Sequence, residues 1–161
     1  MAEKILDAFV VGGAVTGSRT AELIAQEGKD VVLVEDNTEV GCPCKCTGLV
    51  SWRIKELIPN LPNELVVNTV GKAKFFSPSG RGFSLKSKNP VYLLDRVGLD
   101  KFLFDSAKKA GVKTVVGERF IGYRKLRNCL KIKTDKNTYK TKILIGADGS
   151  NSTVGKQAGL E

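Results

Sequence analysis

The sequence predicts an α/β fold in which short parallel strands alternate with helices. Two observations support this class. Residues 6–11 form an apolar run that leads into a glycine-rich turn and a helical pattern, and residues 31–34 form a second apolar run that ends in Glu35. With 161 residues, of which 42% are hydrophobic, the chain can bury one core but is short for two. We therefore expect a single domain over residues 1–161.

The first elements follow from hydrophobic periodicity. Residues 6–11 are mostly apolar and end in two valines, which predicts a strand, and residues 15–27 place apolar side chains at helical spacing before Gly28 ends the helix. Residues 31–34 are wholly apolar, as in a strand that is buried on both faces of a parallel sheet. The Gly-, Pro- and Cys-rich residues 36–47 predict a loop.

The middle of the chain has a different pattern. Residues 48–57 predict a short helix, which Pro59 ends. Beyond it the pattern predicts short strands around a turn at residues 78–80. These strands cover residues 66–70, 74–77, 82–85 and 91–94. The sequence therefore predicts a β region inserted after the second parallel strand.

The last part returns to helix and strand. Residues 99–110 present apolar side chains on one helical face, and Gly111 is the expected stop. Residues 112–116 predict a third parallel strand. A β meander follows, with strands over residues 119–126, 130–134 and 139–145.

The turn after the first strand has the spacing of a dinucleotide-binding fingerprint. Gly12 allows a sharp turn, Gly17 allows the helix to pack close to the sheet, and the amides at the helix start can bind a pyrophosphate. Glu35 then accepts hydrogen bonds from the ribose hydroxyls. Ala14 replaces the second glycine of the fingerprint, and we expect its methyl group to weaken the pyrophosphate contact without abolishing it. The candidate cofactor-binding residues here are Gly12, Gly13, Ala14, Gly17, Glu35 and Asp36.

A second glycine–acid turn follows the last predicted strand. Residues 146–152 read GADGSNS and stand at the carboxyl end of that strand, which is where an open α/β sheet binds its ligands. Asp148 and Gly149 are therefore added to the candidate cofactor-binding residues. Both glycine turns are expected at the same crevice of a Rossmann-like sheet.

Composition limits the function classes. The sequence contains no histidine, which excludes a His-based triad and His-ligated zinc within it. Its net charge of +9 is scattered rather than interleaved with aromatic residues, so we expect no nucleic-acid partner but allow for contact with an anionic membrane surface. No secretory signal and no apolar segment of roughly 20 residues is present. We expect a cytoplasmic protein, at most peripheral to a membrane.

Three separated motifs resemble those at the start of two-dinucleotide-binding-type flavoproteins, a group that includes aromatic hydroxylases and isoprenoid reductases. The motifs are the fingerprint at residues 12–17 with Glu35, the segment YLLDR that ends in Arg96, and GADG at residues 146–149. The resemblance implies that the first motif binds the ADP half of FAD and that Arg96 lies near the flavin. It implies that Asp148 takes part in handling FAD and a nicotinamide cofactor.

Within that group, residues 41–51, GCPCKCTGLVS, resemble the G-x-P-x-x-C-x-G-x-x-S segment of the geranylgeranyl reductase family, which includes archaeal digeranylgeranylglycerophospholipid reductases. The resemblance implies that Cys46 lies near the flavin and the substrate double bond, as the candidate catalytic residue, and that Gly48 lets the backbone approach the cofactor. Such enzymes reduce carbon–carbon double bonds of prenyl chains in isoprenoid lipids with hydride from reduced FAD. NAD(P)H or another donor supplies the electrons.

Three alternatives remain open. Because relatives continue well beyond this length, we expect an FAD/NAD(P)-binding domain that is an amino-terminal fragment or half of a longer flavoprotein. The chain is alternatively a non-catalytic remnant or one half of a split enzyme that a complementing chain completes. A nicotinamide-dependent dehydrogenase would use Glu35 to select NAD, although the inserted β region argues against it. A metal site at Cys42, Cys44 and Cys46 is the least favoured, because zinc sites generally separate their cysteines by two to four residues, and we expect no metal.

Overall fold

A computed structural model describes residues 4–44 and 46–160. It divides into two compact units. The first, here called the sheet unit, comprises Met1–Cys42 and Asp100–Glu161, and the second, the hairpin unit, comprises Pro43–Leu99. The single domain expected over residues 1–161 stays a prediction, and each unit is described by itself.

The elements follow one another in the order expected for α/β segments around a β insertion. They are β1 (Ile5–Val11), α1 (Val15–Gln26), β2 (Val31–Glu35), β3 (Leu49–Ser51), α2 (Ile54–Leu57), a 3-10 turn (Asn63–Leu65), β4 (Val66–Phe76), β5 (Gly82–Leu94), α3 (Arg96–Lys109), β6 (Lys113–Val116), β7 (Phe120–Lys125), β8 (Leu130–Thr134), β9 (Thr138–Gly146) and α4 (Thr153–Ala158). In the part of the chain that the structure describes, no helix is both long and apolar enough to cross a bilayer.

The sheet unit contains a six-stranded sheet in the order β6-β2-β1-β9-β8-β7. Strand β1 runs parallel to both β2 and β9, and β2 runs parallel to β6, whereas β7, β8 and β9 form the predicted antiparallel meander. Val11 is in register with Val34 on one side and with Gly146 on the other. The carboxyl ends of three neighbouring strands therefore meet at one edge, and the α/β class with an inserted meander is confirmed.

Two apolar clusters bury the faces of this sheet. All five residues of β2 are buried, as the wholly apolar run predicted. One cluster contains Val10 and Leu33, which pack with Ala21 of α1, and the other contains Phe9 and Val32. Burying a side chain of this size stabilises the fold by roughly 1.5–3 kcal/mol. This packing fixes the positions of the central strands, and therefore of the loops that follow them.

The hairpin unit is a three-stranded antiparallel sheet in the order β3-β5-β4. The four short strands predicted between residues 66 and 94 are two long ones, β4 and β5, joined at the predicted turn. Their register shifts between Val70 and Lys72, where the partner residue changes from Val91 to Lys86. This irregularity interrupts the side-chain pattern while main-chain pairing resumes beyond it, which explains why the sequence predicted separate segments.

Two local predictions need correction, and one helix was missed. The helix predicted over residues 48–57 is wrong in its first part, because Leu49–Ser51 pairs with β5 and only Ile54–Leu57 is helical. Helix α3 begins at Arg96 rather than residue 99, since the Asp95 carboxylate accepts a hydrogen bond from the Gly98 amide at 3.0 Å, as an N-cap does. The short helix α4 was not predicted.

Candidate functional site

The loop after β1 packs directly against the loop after β9. Gly12 has φ of +105°, and a Cβ at this position would lie 2.3 Å from the Ala147 carbonyl oxygen. The Gly12 amide donates to the Val34 oxygen, and the Ala147 amide donates to the Val11 oxygen, both at 2.8 Å. Only glycine satisfies both the left-handed backbone and the close approach. The turn that the sequence assigned to Gly12 is present in the structure.

Helix α1 starts immediately against this loop. A Cβ on Gly17 would lie 1.8 Å from the Gly12 carbonyl oxygen, so the helix reaches this position only because the residue is glycine. The fully buried Ser18 donates from its Oγ to the Gly13 carbonyl oxygen at 2.8 Å. The N-cap, Ala14, is exposed and makes no side-chain cap, and the first turn contains no acidic residue within the described chain. The positive end of the helix therefore faces an uncharged glycine loop, which suits an anionic group.

Glu35 at the end of β2 is tied to the same loop. Its Oε2 accepts a hydrogen bond from the Gly13 amide at 2.7 Å, and the residue is only 9% exposed. Its Oε1 accepts from the Asn37 amide at 3.0 Å and from Asn37 Nδ2 at 2.7 Å. A carboxylate has about four acceptor positions, so three donors leave room for a further hydroxyl. Asp36, by contrast, is exposed, with its Oδ2 3.8 Å from Nε of Arg119.

Asp148 follows β9, and its carboxylate organises the turn that leads into α4. Ser152 Oγ donates to Oδ1 at 2.6 Å, and the Val154 amide donates to Oδ2 at 3.1 Å. Burial raises the pKa of Asp148, but these hydrogen bonds outweigh that effect and hold its pKa below the usual value. Ser152 in turn accepts from the Gly155 amide at 2.7 Å as the N-cap of α4. The neighbouring Gly149 adopts φ of +84°.

The remaining predicted residues lie in the hairpin unit. Gly48 has φ of +79°, and a Cβ there would lie 2.3 Å from the Leu94 carbonyl oxygen and 3.1 Å from Cγ of Arg96. The Gly48 amide donates to Cys46 Sγ at 3.5 Å, and the Leu94 amide donates to the Gly48 oxygen at 2.9 Å. The structure thus brings Cys46, Gly48 and Arg96 together around the start of β3.

The cysteines of the GCPCKC segment are all thiols. Cys44 and Cys46 are exposed, Cys42 is partly buried, and Cys44 Sγ donates to the Cys46 carbonyl oxygen at 3.3 Å. Lys45 lies outside the described residues. Across residues 4–44 and 46–160, no three Cys, His, Asp or Glu side chains are grouped so that they could hold a metal ion.

The structure therefore gathers the predicted residues into two groups, one in each unit. The first contains Gly12, Gly13, Ala14, Gly17 and Glu35 with the turn at Asp148 and Gly149, and the second contains Cys46, Gly48 and Arg96. Sequence reasoning missed Ser18 and Asn37, which hold the loop and the acid in place. Asn37 could have been found from the sequence, since it is a polar side chain two residues after the acid. Ser18 could not, because a small residue in the first turn of a helix is too common to indicate a role.

No protein-family model matches the chain. Digeranylgeranylglycerophospholipid reductase of Methanococcus vannielii is 30% identical over 164 residues, which cover 99% of this chain and 42% of that protein. The crystal structure of a geranylgeranyl bacteriochlorophyll reductase-like protein from Thermoplasma acidophilum superimposes with a TM-score of 0.85 at 28% identity, covering 99% of this chain and 43% of that one. The FAD complex of a mutant of the halogenase PltM superimposes with a TM-score of 0.79 at 15% identity, over 97% of this chain and 36% of that one, which shows the fold.

The sheet order, the glycine loop and these structures define a Rossmann-like domain of the FAD-binding flavoprotein type. Within that type, the chain is similar over nearly its whole length to proteins of the geranylgeranyl reductase family, which its motifs resemble. It spans about two fifths of the length of the digeranylgeranylglycerophospholipid reductases that it matches.

Proposed function

We propose that the sheet unit binds FAD and that the chain serves an oxidoreductase that reduces carbon–carbon double bonds of geranylgeranyl chains in isoprenoid lipids. The observation that supports this most strongly is the hydrogen bond from the Gly13 amide to Glu35, which holds an acid beside an uncharged glycine loop at a helix start. This arrangement pairs a position for a pyrophosphate with a position for ribose hydroxyls.

The loop suits a dinucleotide because Gly12 and Gly17 carry no side chains. A Cβ at Gly12 or Gly17 would collide with backbone oxygens, so only glycine at these positions lets the loop keep its compact form. The helix-start amides would bind the pyrophosphate. Glu35 would accept a ribose hydroxyl at its remaining acceptor position or in exchange for Asn37. The methyl group of Ala14 would make the pyrophosphate contact longer than a glycine would.

Reduced FAD, when bound, supplies the hydride for the reduction. The protein's task is to position the prenyl double bond and to deliver a proton. Cys46 is the proposed proton donor, because its thiol is exposed and the Gly48 amide points at its sulfur. That hydrogen bond would hold the sulfur in place. Arg96, against Gly48, and Asp148 are the proposed further cofactor contacts.

We propose further that an isoprenoid lipid is the substrate and that NAD(P)H or another donor supplies the electrons, with a complementing chain if the site needs one. The relatives are named for lipid reduction as whole proteins, and this chain matches about two fifths of their length. Cofactor binding is therefore the property that the chain by itself should show. Assays with NAD(P)H and a prenyl lipid follow once flavin binding is established. A peripheral contact with the membrane would bring the chain to such a substrate.

The test is the visible spectrum of the purified chain after incubation with FAD and removal of the free cofactor, with NAD in a parallel sample. We expect retained flavin absorbance at close to one FAD per chain and no retained NAD. A folded chain that retains NAD but not FAD would instead indicate the dehydrogenase alternative. A folded chain that retains neither would contradict cofactor binding by the sheet unit.

A further inference from the structure

The hairpin formed by β4 and β5 exposes a long stretch of chain. Every residue from 71 to 89 is exposed, although residues 72–76 and 82–86 are paired strands. The third strand, β3, covers only the far end of β5, at Val91–Leu93. The part nearest the turn, called here the hairpin tip, is therefore a two-stranded ribbon, and such ribbons are marginally stable in water on their own.

One face of the hairpin tip is apolar. Phe75 lies opposite Phe83 and Ala73 lies opposite Leu85, so these four side chains share a face. The two phenylalanine rings stack with centroids 5.2 Å apart at an interplanar angle of 16°. The stacked rings do not bury one another, because Phe75 is 47% and Phe83 is 61% exposed, and Leu85 on the same face is 55% exposed. Phe76, on the opposite face, is 71% exposed.

The other face is basic. Lys72 lies directly opposite Lys86. Lys74 lies on the same face, nearer the turn, opposite Ser84. Like charges opposite one another destabilise a sheet, so this pairing favours a negatively charged neighbour. Residues 65–94 contain five Lys and Arg side chains and no Asp or Glu. The basic residues of this segment are Lys72, Lys74, Arg81, Lys86 and Lys88.

Along the ribbon, the phenylalanine pair lies nearer the turn than the pair of opposed lysines, while Lys74 and Arg81 lie beside the phenylalanines. The three phenylalanines flank the turn at residues 77–81, and the Lys72–Lys86 pair lies three rows behind the Phe75–Phe83 pair. At about 3.3 Å per row the separation is about 10 Å. Interfacial elements bury their apolar part about 5–10 Å into the boundary between head groups and acyl chains. Aromatic rings at that depth would place Lys72 and Lys86 level with the head groups.

We propose that the hairpin tip docks on the surface of an anionic lipid bilayer, with its phenylalanines inserted and its lysines against the phosphate-bearing head groups. A lipid surface would bury the apolar side chains of the tip and would also place negative charge against its lysines, in a segment that contains no Asp or Glu. Each basic residue near such a surface strengthens binding about fivefold, and the effect weakens as salt screens it. This docking surface gives the peripheral membrane contact of the proposed function a place in the fold, and it does not depend on cofactor binding.

The test is flotation of the full chain, without flavin, with vesicles of phosphatidylcholine alone and with equimolar phosphatidylcholine and phosphatidylglycerol. We expect binding to the anionic vesicles that decreases with salt. The double variant Phe76→Ser with Phe83→Ser should lose about tenfold or more of the partition coefficient, and Lys72→Gln with Lys86→Gln should lose a similar factor. Both pairs are exposed, and circular dichroism confirms that the variants fold.

Two matched controls separate the hairpin tip from the general basic surface. Lys125→Gln with Arg127→Gln removes the same charge from exposed positions of the sheet unit, and Leu160→Ser removes an apolar side chain that is 81% exposed. Both should bind anionic vesicles nearly as the parent does. Absence of vesicle binding, retained binding in the tip variants, or an equal loss in the controls would each overturn the proposal. Absent vesicle binding together with a dimer that the phenylalanine variant abolishes would assign the face to a second copy of the chain.

Discussion

The Gly13 amide donates a 2.7 Å hydrogen bond to Oε2 of Glu35, which joins the loop after β1 to the end of β2. The atoms around this hydrogen bond are tightly packed, since a Cβ on Gly13 would lie 3.0 Å from Cβ of Glu35. The acid therefore stands in a defined position relative to the helix start rather than on a free side chain. Preorganisation of this kind lowers the cost of ordering when a ligand binds. The following variants test how the surrounding residues contribute.

Ala14→Gly should strengthen FAD binding severalfold. The substitution removes the methyl group at the N-cap of α1, where the pyrophosphate is proposed to lie. Glycine is also a better N-cap than alanine, so the free energy of unfolding should rise slightly rather than fall. Isothermal titration with FAD measures the affinity. Ala14→Val should act in the opposite direction, and equal affinity in both variants would show that the pyrophosphate does not approach this residue.

Gly17→Ala should destabilise the chain by about 1–3 kcal/mol, because the new Cβ would lie 1.8 Å from the Gly12 carbonyl oxygen and must displace backbone. Urea unfolding followed by circular dichroism measures the change. Gly71→Ala is the control, since nothing lies within 4 Å of a Cβ there. A Gly17 variant as stable as the control would mean that the helix and loop are not packed as described.

Asp148→Asn should destabilise the chain at neutral pH and lose that effect in acid. The pKa of Asp148 is lower in the folded chain than its ordinary value of 3.8, so the stability it contributes is complete above that value and disappears as pH falls through the folded pKa. Urea unfolding of the parent and the variant should differ at pH 7 and converge well below pH 3.8. The exposed Asp105→Asn serves as the control and should show neither effect. A difference that persists unchanged in acid would contradict the ionised cap.

Tyr139→Phe should remove a source of alkaline instability. The buried Glu118 accepts hydrogen bonds from Tyr139 Oη at 2.9 Å, Thr134 Oγ1 at 2.6 Å and Asn137 Nδ2 at 2.9 Å. Burial and the Glu118 carboxylate raise the pKa of Tyr139 from 10.0 to about 12. The stability from the protonated phenol is therefore complete below about pH 10 and is lost as pH rises through about 12.

At neutral pH the same variant should lose about 1–3 kcal/mol, because Glu118 would keep its burial with one donor fewer. Unfolding measured from neutral to strongly alkaline pH gives both effects, and Tyr123→Phe on β7 is the matched control. A parent chain whose stability does not fall between pH 10 and 12 relative to the variant would contradict the assigned hydrogen bond.

The sequence predicted the β1-α1-β2 segment well because its information is local. The apolar runs, the glycine turn and Glu35 each specify their own conformation within a few residues. The continuity of β4 and β5 and the strand at Leu49–Ser51 depend on pairing with distant residues, which no local pattern reveals. In the site, Gly12, Gly17 and Glu35 follow from spacing alone. The engagement of Asp148 with α4 could not be foreseen, since it depends on a short helix that was not predicted.

The measurement that tests the central claim most directly is the dissociation constant of FAD for the parent chain and for Glu35→Gln. Glutamine keeps the size of the side chain but removes the charge, and hydrogen bonds to a charged group contribute about 1.5–3 kcal/mol. We therefore expect the variant to bind FAD about tenfold to a hundredfold more weakly, while Glu27→Gln, an exposed acid at the other end of α1, binds like the parent. A folded parent chain that does not bind FAD, or a Glu35 variant that binds it as tightly as the parent, would contradict the account.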